Sequence, residues 1–267
     1  METPQSKGLK NAPYWTDLYY QIVEHYYWSP QRFGRISDAS KPARGWKFWR
    51  QKLQAQETPL NHIFDVFFHV APQELLDHVF SAMLQREVSG LELVFADSDL
   101  LDPNVVQPDI VVRNKSELIF LEMKVDSKST VDQFTKYAIA AHCVVSVEPN
   151  FKTADLILLT KSARPNALWQ NARSLGITDL QSVRDAAQRG LKGASGVWLQ
   201  RGVQRYLKSQ PESLDSICQQ VESMGFVLAG YEGVAQTLRA YASTENTLTK
   251  LIDGVLQELY RRGLATA

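Results

Sequence analysis

Asp109, Glu122 and Lys124 are the residues through which this sequence could do chemistry. They lie in QPDIVVRNKSELIFLEMK, residues 107–124, where two short apolar runs are divided by the turn-prone RNKSE. Successive side chains of a strand leave on opposite faces. Phe120, Glu122 and Lys124 therefore project together, while Ile119, Leu121, Met123 and Val125 share the other face. A simple hairpin through RNKSE brings Asp109, at the start of the preceding strand, to the same end of the sheet. Two carboxylates converging beside an ammonium suit a hard cation such as Mg²⁺, with Mn²⁺ as a substitute. Such an ion can polarise a phosphodiester, lower the pKa of a bound water and stabilise charge on the leaving oxygen. Lys124 would orient or help deprotonate the attacking water, or neutralise the developing charge. The bare acid-x-lysine triplet is common, and Asp126-Ser127-Lys128 repeats it. Alone it describes a solvated ion pair on a surface hairpin.

The elements that must position these residues can be read around them. Residues 57–86 predict two helices split at Ala71-Pro72, with apolar positions at Leu60, Ile63, Phe64, Phe67 and Phe68, then at Leu75, Leu76, Val79, Phe80 and Met83. LELVFA, DIVV and LIFLEMKV predict a three-strand meander. A helix at about residues 130–145 and a buried strand at ADLILLT, 154–160, follow. Beyond Ser162 the pattern is mostly helical, with amphipathic segments near 179–189, 197–208, 213–224 and 246–262. The order around the acids is helix, three strands, helix, strand.

QPDIVV followed by LIFLEMK, in that order of elements, resembles the PD-(D/E)XK nuclease superfamily. Pro108-Asp109 is the only Pro-Asp in the chain. DSKSTVDQFTKYA resembles the Gln-x-x-x-Tyr element of RecB-like members, and ETPLNHIFDVFF resembles the helix start through which many bacterial members bring a further acid to the site. The resemblance covers residues 57–160. It implies Asp109, Glu122 and the Met123 backbone carbonyl as metal ligands, Lys124 as the catalytic lysine and Glu57 as a helix-borne acid and further ligand. It also implies Gln133 as a site-organising or substrate-contacting amide and Tyr137 as a packing or substrate contact. Asn61 stands where the family often has Thr, and Phe134 where Leu is usual. Glu74 is the rival helical acid, less favoured because Asp77 falls where Leu is expected.

A second feature precedes this core. WSPQRFGRISDASKPARGWKFWRQK, residues 28–52, carries Arg44, Lys47 and Arg50 among interleaved aromatics. Basic groups can neutralise phosphates and aromatic faces can stack on unpaired bases, so these three are candidate substrate contacts. The competing reading is a helix with Trp46, Trp49 and Leu53 facing a core and the cations in water. The histidines at 25, 62, 69, 78 and 142 have no metal-binding spacing. His142-Cys143 is no nucleophile pair, because neighbours on a helix point apart. ENTLT at 245–249 begins a late helix, and no Walker-type phosphate loop occurs.

Bulk properties bound the rest. Lys plus Arg and Asp plus Glu both number 29 in 267 residues, so net charge gives no sign of a nucleic-acid partner, and any such sign must be local. Cys143 and Cys218 lack metal or redox spacing and read as thiols of a reducing compartment. No apolar signal core and no run near the ~20 apolar residues of a membrane span is present, so the expected location is cytoplasmic, without a membrane partner. The expected architecture is α/β: a restriction-endonuclease-like αβββαβ core over 57–162, an aromatic and basic helical extension over 1–56 and a helical region over 163–267. The expected activity is Mg²⁺-dependent hydrolysis of nucleic-acid phosphodiesters, DNA foremost, in host defence or repair, by a chain that could act as a homodimer or with a partner protein. The alternative is a catalytically silent nuclease-fold binding or assembly module.

Overall fold

The computed structural model describes residues 14–27, 53, 56–94, 106–148, 150–161, 165–193 and 199–267. The candidate contacts Arg44, Lys47 and Arg50, and most of the aromatic and basic stretch around them, lie outside the described residues.

The chain forms a mixed α/β structure around a five-stranded sheet of order β1-β2-β3-β4-β5. After α1 (Trp15–Tyr27) come α2 (Glu57–Val70) and α3 (Gln73–Leu84), then β1 (Glu92–Leu93), β2 (Ile110–Arg113) and β3 (Glu117–Lys124). Next are α4 (Val131–Val147) and β4 (Thr153–Thr160), so the expected order of helix, three strands, helix and strand is present. Two single-turn helices, Pro165–Leu168 and Ala172–Leu175, lead to α5 (Leu180–Leu191), α6 (Arg201–Ser209) and α7 (Leu214–Ser223). The chain closes with β5 (Gly225–Gly230), α8 (Tyr231–Thr244) and α9 (Thr249–Arg261).

One of these late elements, β5, corrects the sequence reading, which took the C-terminal stretch as mostly helical. β5 pairs in parallel with β4, from Asp155↔Gly225 to Thr160↔Gly230. Its run GFVLAG lacks polar alternation because helices cover both faces of this sheet. Phe226 packs with one layer and Ala229 with the other. Four apolar residues bounded by glycines read equally well as part of a buried helix. The helix α8 agrees with the mostly helical reading of this region, although it is not among the segments named.

β1, β2 and β3 are antiparallel, whereas β3, β4 and β5 run parallel through their α crossovers. Alternation along β3 sends Leu118 and Phe120 into a core shared with α4, α5 and α7, and Ile119, Leu121 and Met123 into a second core shared with α2, α3, α8 and α9. The result is a three-layer arrangement with β3 at the middle of the sheet.

The β2–β3 hairpin sets the register on which the site depends. Asn114 Oδ1 accepts from Ser116 N at 2.9 Å and from Glu117 N at 2.8 Å, an Asx-type turn that stops the connection from slipping. The pairing then runs from Arg113↔Leu118 to Ile110↔Leu121, so one step further sets Asp109 opposite Glu122. A slip of one residue would reverse every β2 side chain to the other face.

The helices are fixed by equally local devices. Thr130 caps α4 by accepting from Gln133 N at 3.1 Å, which places Gln133 in the first turn and Tyr137 one turn on. Pro72 separates α2 from α3, since proline suits a helix start and disfavours helical geometry in the residue before it. Among the described residues the start of α2 has no side-chain cap, and Arg262 Nη1 donates to the Gln56 carbonyl at 2.8 Å. Among the described residues, no helix is long and apolar enough to cross a membrane.

Candidate functional site

The acids and the lysine singled out from the sequence meet at one end of β3, where the two helical layers converge. Glu122 and Lys124 project on the α4 side. Lys124 Nζ lies 2.6 Å from Glu122 Oε1 and 3.6 Å from Glu57 Oε2. Glu57 arrives from the opposite layer, at the first turn of α2, and reaches over the strand end. Its Oε1 accepts from Val125 N at 3.0 Å and from the Ser127 hydroxyl. Asp109 closes the group: Oδ2 accepts from Met123 N at 2.7 Å and Oδ1 from Asn61 Nδ2 at 2.5 Å. An extended residue presents its N–H and C=O to the same strand edge, so the Met123 carbonyl faces the Asp109 side too.

Gln133 and Tyr137 hold Glu122 from beneath. Gln133 Nε2 donates to Oε1 and the fully buried Tyr137 hydroxyl donates to Oε2. Those donors are needed because Glu122 is only 5% exposed and borders a small cavity walled by Phe134, Leu156, Leu158, Trp169 and Phe226. A buried carboxylate without donors would be costly. Gln133 therefore holds this buried acid in place, and Tyr137 combines ring packing against Phe120 with a hydrogen bond to the same acid.

Glu74 is elsewhere. It lies on α3, and its charge is felt by Tyr241 on α8. Asp77, whose position weakened the match around Glu74, anchors the chain before β1 by accepting from Gly90 N and Leu91 N, both at 2.9 Å.

The electrostatics are those of a site short of positive charge. Burial pushes the Asp109 carboxyl up, the neighbouring Glu122 adds to this, and Met123 N–H and Lys124 only partly offset them; the result is a pKa of about 7. Lys124 shows the counterpart. Desolvation works against its charge, but Glu122, Glu57 and Asp109 together carry its pKa above the ordinary lysine value. Burial and then the Glu122 charge push the Tyr137 phenol well up, so it stays a donor.

Among the described residues, three carboxylates around a single ammonium, with an additional buried and partnerless oxygen in Asn61 Oδ1, make a hard, anionic donor set of the kind Mg²⁺ prefers. The residues fit such an ion in type and charge. They are not arranged around a common point: among the described residues, no three His, Cys, Asp or Glu side chains form a ready-made metal cluster. The oxygens of Asp109 and Glu122 are instead committed to Asn61, Met123 N–H, Gln133, Tyr137 and Lys124.

Sequence reasoning treated Asn61 only as a departure from a family pattern and Ser127 only as part of a rival triplet. Asn61 lies one helical turn after Glu57, on the same face of α2, and that spacing was the available signal. Nothing in the sequence marked Ser127. Comparison with protein-family models, with curated proteins and with solved structures finds no match for this chain.

Proposed function

We propose that this chain is a metal-dependent nuclease of the PD-(D/E)XK type, with a restriction-endonuclease-like core, that hydrolyses nucleic-acid phosphodiester bonds, DNA foremost. One observation carries the reading: Asp109, Glu122, Lys124 and Glu57, drawn from two strands and a helix of the opposite layer, gather at one sheet end. Mg²⁺ would be held by Asp109, Glu122 and the Met123 carbonyl, with Glu57 as a further acid. When bound, it supplies Lewis-acid polarisation of the phosphate and a more acidic water.

The chain's own residues do the rest. Lys124, with its pKa raised by three carboxylates, stays an ammonium at neutral pH. It therefore serves as a hydrogen-bond donor and a counter-charge for the attacked phosphate rather than as a proton acceptor. Gln133 and Tyr137 orient Glu122, Asn61 and Met123 N–H orient Asp109, and Val125 N–H and Ser127 orient Glu57. Outer partners of this kind preserve ligand geometry.

The alternative, a silent nuclease-fold binding module, draws on the inward commitment of the Glu122 oxygens. The two readings separate in one assay set: wild type, Glu122→Ala and Lys124→Ala on linear, circular and single-stranded DNA and on RNA, with Mg²⁺, Mn²⁺ or chelator. Hydrolysis requires cleavage that disappears in both variants and in chelator. Nucleic-acid binding without cleavage under every condition supports the module instead.

A further inference from the structure

Tyr231 has a hydroxyl that nothing in the fold explains. The residue is fully buried, yet its hydroxyl has no hydrogen-bond partner among the described residues. Leaving such a group unpaired costs stability, and phenylalanine would fill the same space without that cost.

Its placement gives the hydroxyl a use. Tyr231 follows Gly230, which pairs with Thr160, which pairs with Lys124, so three parallel strands end in one row and Tyr231 leaves that row at the site. Its ring packs on Phe64 of α2, with centroids 6.4 Å apart, and Phe64 is almost one turn along from Asn61 on the helix that carries Glu57. The hydroxyl is within electrostatic reach of the acids: besides burial, the charges of Glu57, Asp109 and Glu122 raise its pKa, with Arg262 opposing them. It remains protonated and can only donate or accept a hydrogen bond as a neutral phenol. Asn61 Oδ1, also buried and without a partner among the described residues, lies beside Asp109.

We propose that Tyr231 is a positioning residue of the acidic cluster, its hydroxyl donating to a water held with a divalent cation on the Glu57–Asp109 side. This rests on the nuclease reading and extends it to the fifth strand, whose end delivers the tyrosine. The hydroxyl fixes where that water lies and thereby tightens cation binding, whereas its ring serves the core like any aromatic.

Tyr231→Phe removes the hydroxyl alone. The expected result is unchanged or higher thermal stability in chelator, with Mg²⁺ affinity by titration calorimetry weakened about 10-fold or more, as for loss of an outer partner of a metal ligand. DNA cleavage at saturating DNA falls while KM for DNA is kept. Wild-type Mg²⁺ affinity and cleavage in the variant overturn the role of Tyr231 and leave the nuclease reading intact. Reduced stability in chelator with unchanged Mg²⁺ affinity also overturns it, because the hydroxyl then serves only the fold. A wild-type protein that neither binds Mg²⁺ nor cleaves removes both proposals together.

Discussion

Asn61 Nδ2 meets Asp109 Oδ1 at 2.5 Å, joining the first helix of one layer to the first residue before β2. This contact stabilises the Asp109 carboxylate against the burial and neighbouring charges that push its pKa up to about 7. Asn61→Ala removes the donor and is expected to raise that pKa further. Mg²⁺ binding, measured by calorimetry between pH 6 and 9, should weaken about 10- to 100-fold at the acidic end and recover toward the alkaline end, where Asp109 ionises. Asn61→Asp should be worse, since it sets another acid against Asp109. An Asn61→Ala protein with the wild-type affinity at every pH would show that the contact is incidental.

The raised pKa of Asp109 makes the metal-free fold lose stability as pH rises from acid to neutral. An acid that titrates at its ordinary value of 3.8 when unfolded, and at about 7 when folded, is protonated only in the native state between those values. Folding then binds a proton, and stability declines as pH rises. The contribution is complete below the unfolded value and is lost as pH passes through the folded one. In chelator, the wild type should lose stability between about pH 4 and 7 relative to Asp109→Asn, which lacks the titration, and Mg²⁺ should restore most of the loss at pH 8. Parallel pH profiles for the two proteins in chelator would remove this account.

Much of this site was legible because its chemistry is concentrated on one strand. The alternation in ELIFLEMK separates Glu122 and Lys124 from Ile119, Leu121 and Met123, and the structure sends the apolar set into the opposite layer. The spacing of Gln133 and Tyr137 placed both on one side of α4, where they meet Glu122. What escaped notice comes from packing between distant segments. Ser127 reaches Glu57 only because the chain turns after β3. Tyr231 is brought to that end of the sheet only through the pairing of β4 with β5, a strand whose apolar run carries no periodicity. Glu57 and Glu74 both open helices that look alike in sequence, and only the direction of each helix decides which acid meets Lys124.

Tyr137 gives a test of how the fold satisfies Glu122. Its hydroxyl is buried and bonded to Glu122 Oε2, so Tyr137→Phe takes one donor from a carboxylate that is itself 5% exposed. Loss of a buried partner of a charged group costs roughly 1–3 kcal/mol, and chemical denaturation at pH 8 in chelator should show a decrease in that range. Cleavage should fall as well, because Gln133 alone would then orient the acid from the α4 side. A variant as stable as wild type would mean that solvent reaches Glu122 more freely than its burial implies.

The N-terminal helix is held by a close approach that a single methyl group disrupts. Trp15 Nε1 donates to the Leu251 carbonyl at 2.9 Å and Thr16 Oγ1 to the Gly254 carbonyl at 3.3 Å, which brings α1 down onto α9. A Cβ at Gly254 would lie 2.0 Å from Trp15 Nε1 and 2.3 Å from its Cδ1, inside any tolerable contact. Gly254→Ala must therefore displace the indole and the first turn of α1. Overpacking of this sort costs roughly 1–3 kcal/mol. The nearby Arg261–Asp17 pair, 2.8 Å apart, should weaken as the helix shifts. Limited proteolysis is expected to cut within residues 15–27 sooner than in wild type, while the Glu122–Lys124 pair, carried by β3, keeps its geometry and Mg²⁺ binding changes little. Wild-type resistance to proteolysis together with wild-type stability would mean that the Trp15 indole yields to the added methyl group without unseating α1 from α9.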